Sequence, residues 1–236
     1  MRIDKFLANS GYGTRKDIKN YIKQGIITVN GKVVKDGGVH IDENTDEICI
    51  NGESAKYKKY IYIMLCKPQG VVSATYDKHL PTVVDLLDEY SLSFEPFPVG
   101  RLDIDTEGLL VLTNDGDMSH RLLSPKSHVK KIYYARLDKP IDDSDIREFA
   151  QGVTLDDGYK TLGADLKRAD DGAIITIYEG KFHQVKRMFE AVGKKVTYLK
   201  RLQMGNLQLD RTLNCGEWRE LTENEIDLLC EKQEIE

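Results

Sequence analysis

Residues 100–115 read GRLDIDTEGLLVLTND. The apolar run at 109–112 reads as a buried strand. Asp103 therefore sits just where the chain emerges from the core. Carboxylates at such a place can be partly desolvated and rigidly held, as a nucleophile or base requires. An isolated D-x-D more commonly serves as a turn and cap. On an extended chain, residues i and i+2 point to opposite faces. Asp103 and Asp105 are therefore not expected to share a site, and one should be functional and the other structural. The same geometry argues against a glycosidase, whose two carboxylates flank one bond. It also argues against a D-x-D metal site, for which no further clustered ligands are present.

Outward from this strand, short strands alternate with helices. YIYIMLCKP (60–68), GLLVLTND (108–115), KIYYARL (131–137), AIITIYEG (173–180) and GNLQLD (205–210) read as strands. Helices are expected over 117–123, 142–151 and 183–192. Strands outnumber βαβ units, which predicts an α+β fold: a mixed, mostly antiparallel sheet flanked by helices. LCKPQGVVSA (65–74) reads as a turn after an edge strand. In KIYYARL, Tyr133 shares a face with Lys131 and Ala135, where core packing is the ordinary role. Met188, Phe189 and Val192 mark the buried face of the helix over 183–192. Lys186 and Arg187 near its start run against the helix dipole, which favours cations at the other end. An anionic partner would offset that penalty, and so would solvent. His183, alone before a helix, reads as a capping or hydrogen-bonding residue, with catalysis as the alternative.

The first 58 residues read as a separate small unit. Ile3, Phe6 and Leu7 have helical spacing. Thr14 can cap a second helix, with Asp17 in the capping-box position. That helix turns Ile18, Tyr21 and Ile22 inward and Arg15, Lys16, Lys19 and Lys23 outward, and Gly25 ends it. ITVNGKVV is a strand, an Asn-Gly turn and a strand, and HIDENTDEICING reads as another strand pair. SAKYKK (54–59) reads as the linker. The expected domains are 1–58 and 59–236.

Of 236 residues, 40% are hydrophobic and 31% charged, as in ordinary soluble globular proteins. No apolar run is long enough to span a bilayer. MRIDKFLANSG lacks the apolar core of a signal peptide, so a cytoplasmic protein is expected. The four cysteines form no C-x-x-C pair, which argues against a zinc site and for reduced thiols. Net charge is -5, yet the charge is segregated. Residues 1–35 hold eight basic and two acidic side chains, and 118–137 hold five basic and none acidic. Residues 180–201 hold seven basic side chains against Glu190 alone. Such segregation makes local positive fields and points to an anionic partner.

Two resemblances carry the reading further. RIDKFLANSGYGTRKDIKNYIKQGIITVNGKVV resembles the alpha-L RNA-binding motif, the module of a small-subunit ribosomal protein. That resemblance implies that Arg2, Lys5, Thr14, Arg15 and Lys16 face RNA phosphates, which supply affinity but little sequence choice. KPQG, GRLDIDTEGLL, KIYY, EGKFHQVKRMF and LKRLQMGNLQLD follow the order found in bacterial pseudouridine synthases of the RsuA type. HLPTVVDLL and EFAQGVTLDDG resemble the small-subunit rRNA enzymes more than their large-subunit relatives.

The resemblance implies a pseudouridine synthase fold and the isomerisation of a uridine in small-subunit 16S rRNA. Asp103 matches the family's catalytic aspartate and Asp105 a framework position. Tyr133 matches the tyrosine against the target base. Lys186 matches the basic partner of the aspartate, often arginine, with Arg101 as the second candidate. Thr106 shapes the turn, and Arg101, Thr106 and Arg187 are expected to bind substrate. The target base must be flipped out of its stack. No cofactor and no metal are expected. The partner would be ribosomal RNA, free or within an assembly intermediate, and the protein a monomer without membrane contact. The alternatives are a synthase acting on large-subunit rRNA or transfer RNA, and a non-catalytic RNA-binding or ribosome-assembly protein.

Overall fold

The computed structural model describes residues 1–231. They form two compact units: Met1–Ile61 with Leu87–Pro96, and Tyr62–Leu86 with the chain from Phe97 on. The fold is α+β, with a four-stranded sheet in the first unit and a nine-stranded sheet in the second.

In the first unit, α1 (Ile3–Asn9) and α2 (Arg15–Gln24) precede β1 (Ile27–Val29), β2 (Lys32–Val33), β3 (Ile48–Ile50) and β4 (Glu53–Ser54), and α3 (Glu89–Leu92) comes later. The helices form where the periodicity places them. Ile3, Phe6, Leu7, Ile18, Ile22, Ile27 and Ile48 make one buried cluster. The outward face of α2 is left to Arg15, Lys16, Lys19 and Lys23, all exposed. The Thr14 hydroxyl accepts from the Asp17 amide, and the Asp17 carboxylate accepts from the Thr14 amide. Gly25 closes the helix in the left-handed conformation, at φ 73°. Thr14→Ala should therefore cost about 1 kcal/mol, read as a fall in the urea midpoint of this unit without a change in slope. The strand pair expected from HIDENTDEICING lies one turn later, since β3 pairs with β4 across Asn51-Gly52. His40 makes only an isolated bridge to Arg2. The stretch expected to be a linker is instead packed. Ala55 is buried, and Tyr57 stacks on Phe6 with ring centroids 5.4 Å apart.

The second unit contains β5 (Tyr62–Lys67), β6 (Phe97–Pro98), β7 (Glu107–Thr113), α4 (Gly116–Leu123), β8 (Lys131–Leu137), α5 (Asp143–Gln151) and β9 (Asp165–Ala169). It continues with β10 (Gly172–Ile177), α6 (Gln184–Ala191), β11 (Val196–Met204), β12 (Leu207–Gln208), β13 (Trp218–Glu220) and α7 (Glu223–Cys230). The order across the sheet is β13-β5-β7-β11-β8-β10-β9, with β6 on β7 and β12 on β11. Among the described residues, β7–β11 is the one parallel pair of these strands. Strand β7 is central and buried from Gly108 to Thr113, which is why its sequence is a continuous apolar run rather than an alternating one. Leu109 and Val111 pack with Met64, Met118, Leu122, Met204 and Leu229. Helices α4 and α7 thus cover one face.

The sequence reading missed β11, the longest strand. Its apolar alternation is broken because the buried position 201 is an arginine. GNLQLD supplies only the short return strand β12. Gly108 has φ +103°, and a Cβ there would fall 2.2 Å from the Arg201 carbonyl oxygen. Only glycine lets β7 and β11 approach here. Among the described residues, no helix is long and apolar enough to cross a membrane.

Candidate active site

The loop before β7 carries Asp103, and it turns rather than extends. The Thr106 amide donates to the Asp103 carbonyl at 3.1 Å. This overturns the expectation that Asp103 and Asp105 face opposite ways. The Lys186 ammonium, reaching in from α6, lies 3.0 Å from one Asp103 oxygen and 2.5 Å from Asp105. The two aspartates share one cation. They differ in setting: the Asp103 side chain is 26% exposed and that of Asp105 63%. Burial pushes the Asp105 carboxyl up, but the bond and charge of Lys186 outweigh it and hold it below its ordinary range. Burial likewise opposes the Lys186 charge, yet its bonds to Asp105 and Asp103 keep it above the ordinary lysine range.

His183 opens α6 in the left-handed conformation, at φ 49°, and makes no side-chain capping bond. Its Nε2 lies 3.5 Å from the second Asp103 oxygen. His183 thus occupies the N-cap position without capping through its side chain, and the imidazole faces the carboxylate.

Two residues that hold the loop were not legible as site residues. Lys67, at the end of β5, is fully buried. Its ammonium donates to the carbonyls of Pro68, Asp103, Ile104 and Thr106 at 2.9–3.5 Å. Burial pushes its pKa down to about 8, against the pull of the Asp105, Asp103 and Glu107 carboxylates. Ser73 clamps the other side, donating to the Leu102 carbonyl at 2.9 Å and accepting from the Leu102 amide at 3.0 Å. The Gly70 amide adds a bond to the Ile104 carbonyl at 2.8 Å. KPQGVVS is thus a cradle for the aspartate loop rather than a plain turn. A lysine before Pro-Gln-Gly looks like surface chemistry in one dimension, so no local signal marked it.

The remaining expected residues are spread around this centre. Tyr133 is buried on β8 opposite Arg201 of β11, which in turn registers with Gly108 of β7. Paired residues share a face, so Tyr133 and Arg201 project from the same side of the sheet. Thr106 is buried, and its hydroxyl has no hydrogen-bond partner among the described residues. Arg101 is exposed and is not the cation paired with Asp103. Arg187 is engaged elsewhere: it binds Asp156 at 2.6 Å and Asp157 at 2.7 Å, bracing that loop against α6. In the first unit, Arg2 is paired with Asp4 at 2.7 Å, and the Thr14 hydroxyl is used in its cap. Lys5, Arg15 and Lys16 are exposed. Among the described residues, no group of three or more His, Cys, Asp or Glu side chains is placed to hold a metal ion.

A loop-borne carboxylate, fixed through its backbone and paired with a lysine, is organised for nucleophilic or base chemistry at an ionised oxygen. Residues 61–191 match the family model described as RNA pseudouridylate synthase, and residues 1–47 match that of the S4 domain. An uncharacterized RNA pseudouridine synthase, YtzG, of Bacillus subtilis is 52% identical over 99% of this chain and 100% of its own. The ribosomal small subunit pseudouridine synthase A of Pasteurella multocida is 42% identical over 96% of this chain and 98% of its own. A crystal structure of a pseudouridylate synthase superposes with a TM-score of 0.68 at 40% identity, covering 97% of this chain and 99% of that one.

Proposed function

The chain belongs to the RNA pseudouridylate synthase family, and from that premise we propose that it isomerises a specific uridine of small-subunit (16S) ribosomal RNA, with Asp103 as the catalytic residue. The observation that carries the assignment is the Asp103 carboxylate held 3.0 Å from the Lys186 ammonium on a loop clamped by Lys67. The relatives named for the ribosomal small subunit support the substrate, and the ribosome places the work in the cytoplasm.

The reaction breaks the bond from ribose C1′ to uracil N1, turns the base, and joins C1′ to C5. Atoms and electrons are conserved, so the chemistry asks for no redox partner. Asp103 must be ionised whether it attacks C1′ or removes the C2′ proton. The Lys186 ammonium lies 3.0 Å from its carboxylate. In this reading Tyr133 stacks on the uracil, and its hydroxyl helps take the C5 proton. The uridine must leave its stack to reach this loop, at a cost of a few kcal/mol. Backbone contacts on the basic surfaces supply it.

Mapping pseudouridine in ribosomal RNA from cells lacking the protein tests this. One small-subunit position should revert to uridine. Loss from large-subunit or transfer RNA alone would overturn the substrate, and loss nowhere would overturn the function. The first unit's part has its own test. Reversing Arg15, Lys16 and Lys19 to glutamate should lower the slope of log affinity against log salt by about 2–3, since each phosphate contact contributes about 0.7–0.9. An unchanged slope would remove this face from RNA binding. Deleting residues 1–58 should weaken binding further.

A further inference from the structure

The tip of the turn leading into α6 displays an aromatic side chain that the chemistry above does not use. Phe182 is 72% exposed. It is stacked on the His183 ring, with centroids 3.8 Å apart and planes 18° from parallel. The His183 imidazole in turn lies 3.5 Å from Asp103. Phenyl ring, imidazole and carboxylate thus form one continuous row.

The turn is rigid. The buried Gln184 side chain accepts from the Lys181 amide at 2.8 Å and donates to Glu179 at 3.0 Å. Arg187 donates to the Phe182 carbonyl at 3.3 Å. His183 is held at positive φ, a strained conformation for a non-glycine residue. Strain and these hydrogen bonds thus hold an apolar ring in solvent. A single exposed Phe is ordinary; one braced beside a reactive carboxylate is a platform. Its setting is cationic as well as aromatic, since the Lys181 ammonium sits 4.5 Å from the Tyr159 ring centroid. Flat aromatic rings beside cations are how proteins hold unpaired bases.

We propose that Phe182 is a positioning residue that stacks against the unpaired base adjoining the target uridine, keeping the opened strand in place while the uridine sits at Asp103. The proposal rests on the RNA-modifying reading above and adds to it a contact with a neighbouring nucleotide.

The test separates the two. Short single-stranded oligoribonucleotides carry 2-aminopurine immediately 5′ or 3′ of a single uridine. Protein-dependent quenching of 2-aminopurine should appear at one of the two positions with the wild type, persist in Phe182→Trp, and be lost in Phe182→Ala. On a transcript of small-subunit rRNA, Phe182→Ala should raise KM about tenfold and change kcat less than about twofold. Replacing the adjoining base with an abasic ribose should cost the wild type the same factor and cost Phe182→Ala nothing further. Quenching that is independent of Phe182, or an abasic penalty undiminished in Phe182→Ala, overturns the proposal. Phe182-dependent quenching by a wild type that modifies no transcript keeps the stacking contact and overturns the isomerase reading instead.

Discussion

Asp103→Asn should abolish pseudouridine formation, by at least about 10³–10⁴-fold in single-turnover rate, while leaving fold and RNA affinity intact. The magnitude follows from losing a nucleophile or base that nothing else can replace. Asparagine keeps the size of the side chain and a hydrogen-bonding oxygen for Lys186, but has neither the charge nor the nucleophilic oxygen. Affinity should survive because phosphate contacts elsewhere supply it. The comparison that gives this result meaning is Asp105→Asn. Asp105 lies nearer to Lys186 than Asp103 does, at 2.5 Å against 3.0 Å. Distance to the cation alone would therefore choose the wrong residue. Exposure and anchoring choose Asp103: its side chain is the more buried of the two. Its own carbonyl is held by Lys67, its amide-side neighbour Leu102 by Ser73. A solvated carboxylate on the tip of a turn stores little electrostatic preorganisation. Asp105→Asn should cost about tenfold at most, through a less well-fixed Lys186. Full activity of Asp103→Asn with loss in Asp105→Asn would reverse the assignment. Measuring tritium release from C5-labelled rRNA alongside filter binding reads both quantities on the same samples.

The site was legible in sequence where one residue determines its own local geometry. The run at 109–112 announces a central strand because both of its faces must be apolar. Thr14 and Asp17 announce a helix start because the capping box is closed within four residues. Lys186 was assigned through the family resemblance, since a cation in the first turn of a helix can be offset by solvent as well as by an anion. What escaped depends on pairings between distant residues. Strand β11 looks polar because Arg201 is buried, its Nε spent on the Leu109 carbonyl at 2.7 Å. Arg187, next to Lys186, looked equally available for substrate, but the acidic pair at 156–157 claims it. The turn at 103–106 could not be foreseen from i, i+2 alternation, because alternation holds only while the chain stays extended. That turn is imposed from outside, by Lys67.

Lys67→Met should therefore destabilise the second unit by about 1–3 kcal/mol and reduce activity as well, although Lys67 touches neither the ion pair nor any expected substrate atom. Two opposing effects set the size. Keeping a charged lysine at about 8 rather than the ordinary 10.5 costs about 3 kcal/mol, which methionine would recover. Against this, methionine removes the donor of the Pro68 and Thr106 carbonyls and leaves Asp103 and Ile104 only the amides of Thr106 and Gly70. Each buried acceptor left unsatisfied costs about 1–3 kcal/mol, so two cost about 2–6 kcal/mol against the roughly 3 recovered. Linkage adds a signature that simple loss of packing would not produce. The unfolded lysine holds its proton up to 10.5, while the folded one releases it at about 8. Between those values the unfolded state binds more protons, so this group's contribution to stability rises with pH. The stability gap between wild type and Lys67→Met should widen by about 2 kcal/mol from pH 8 to pH 10, read from urea midpoints. Over the same range the wild type's kcat/KM should fall, because a neutral amine has one donor fewer for the Asp103 loop. A gap that stays constant or narrows, or a Lys67→Met variant as stable and active as the wild type at pH 7, would show that the loop keeps its shape without the buried ammonium.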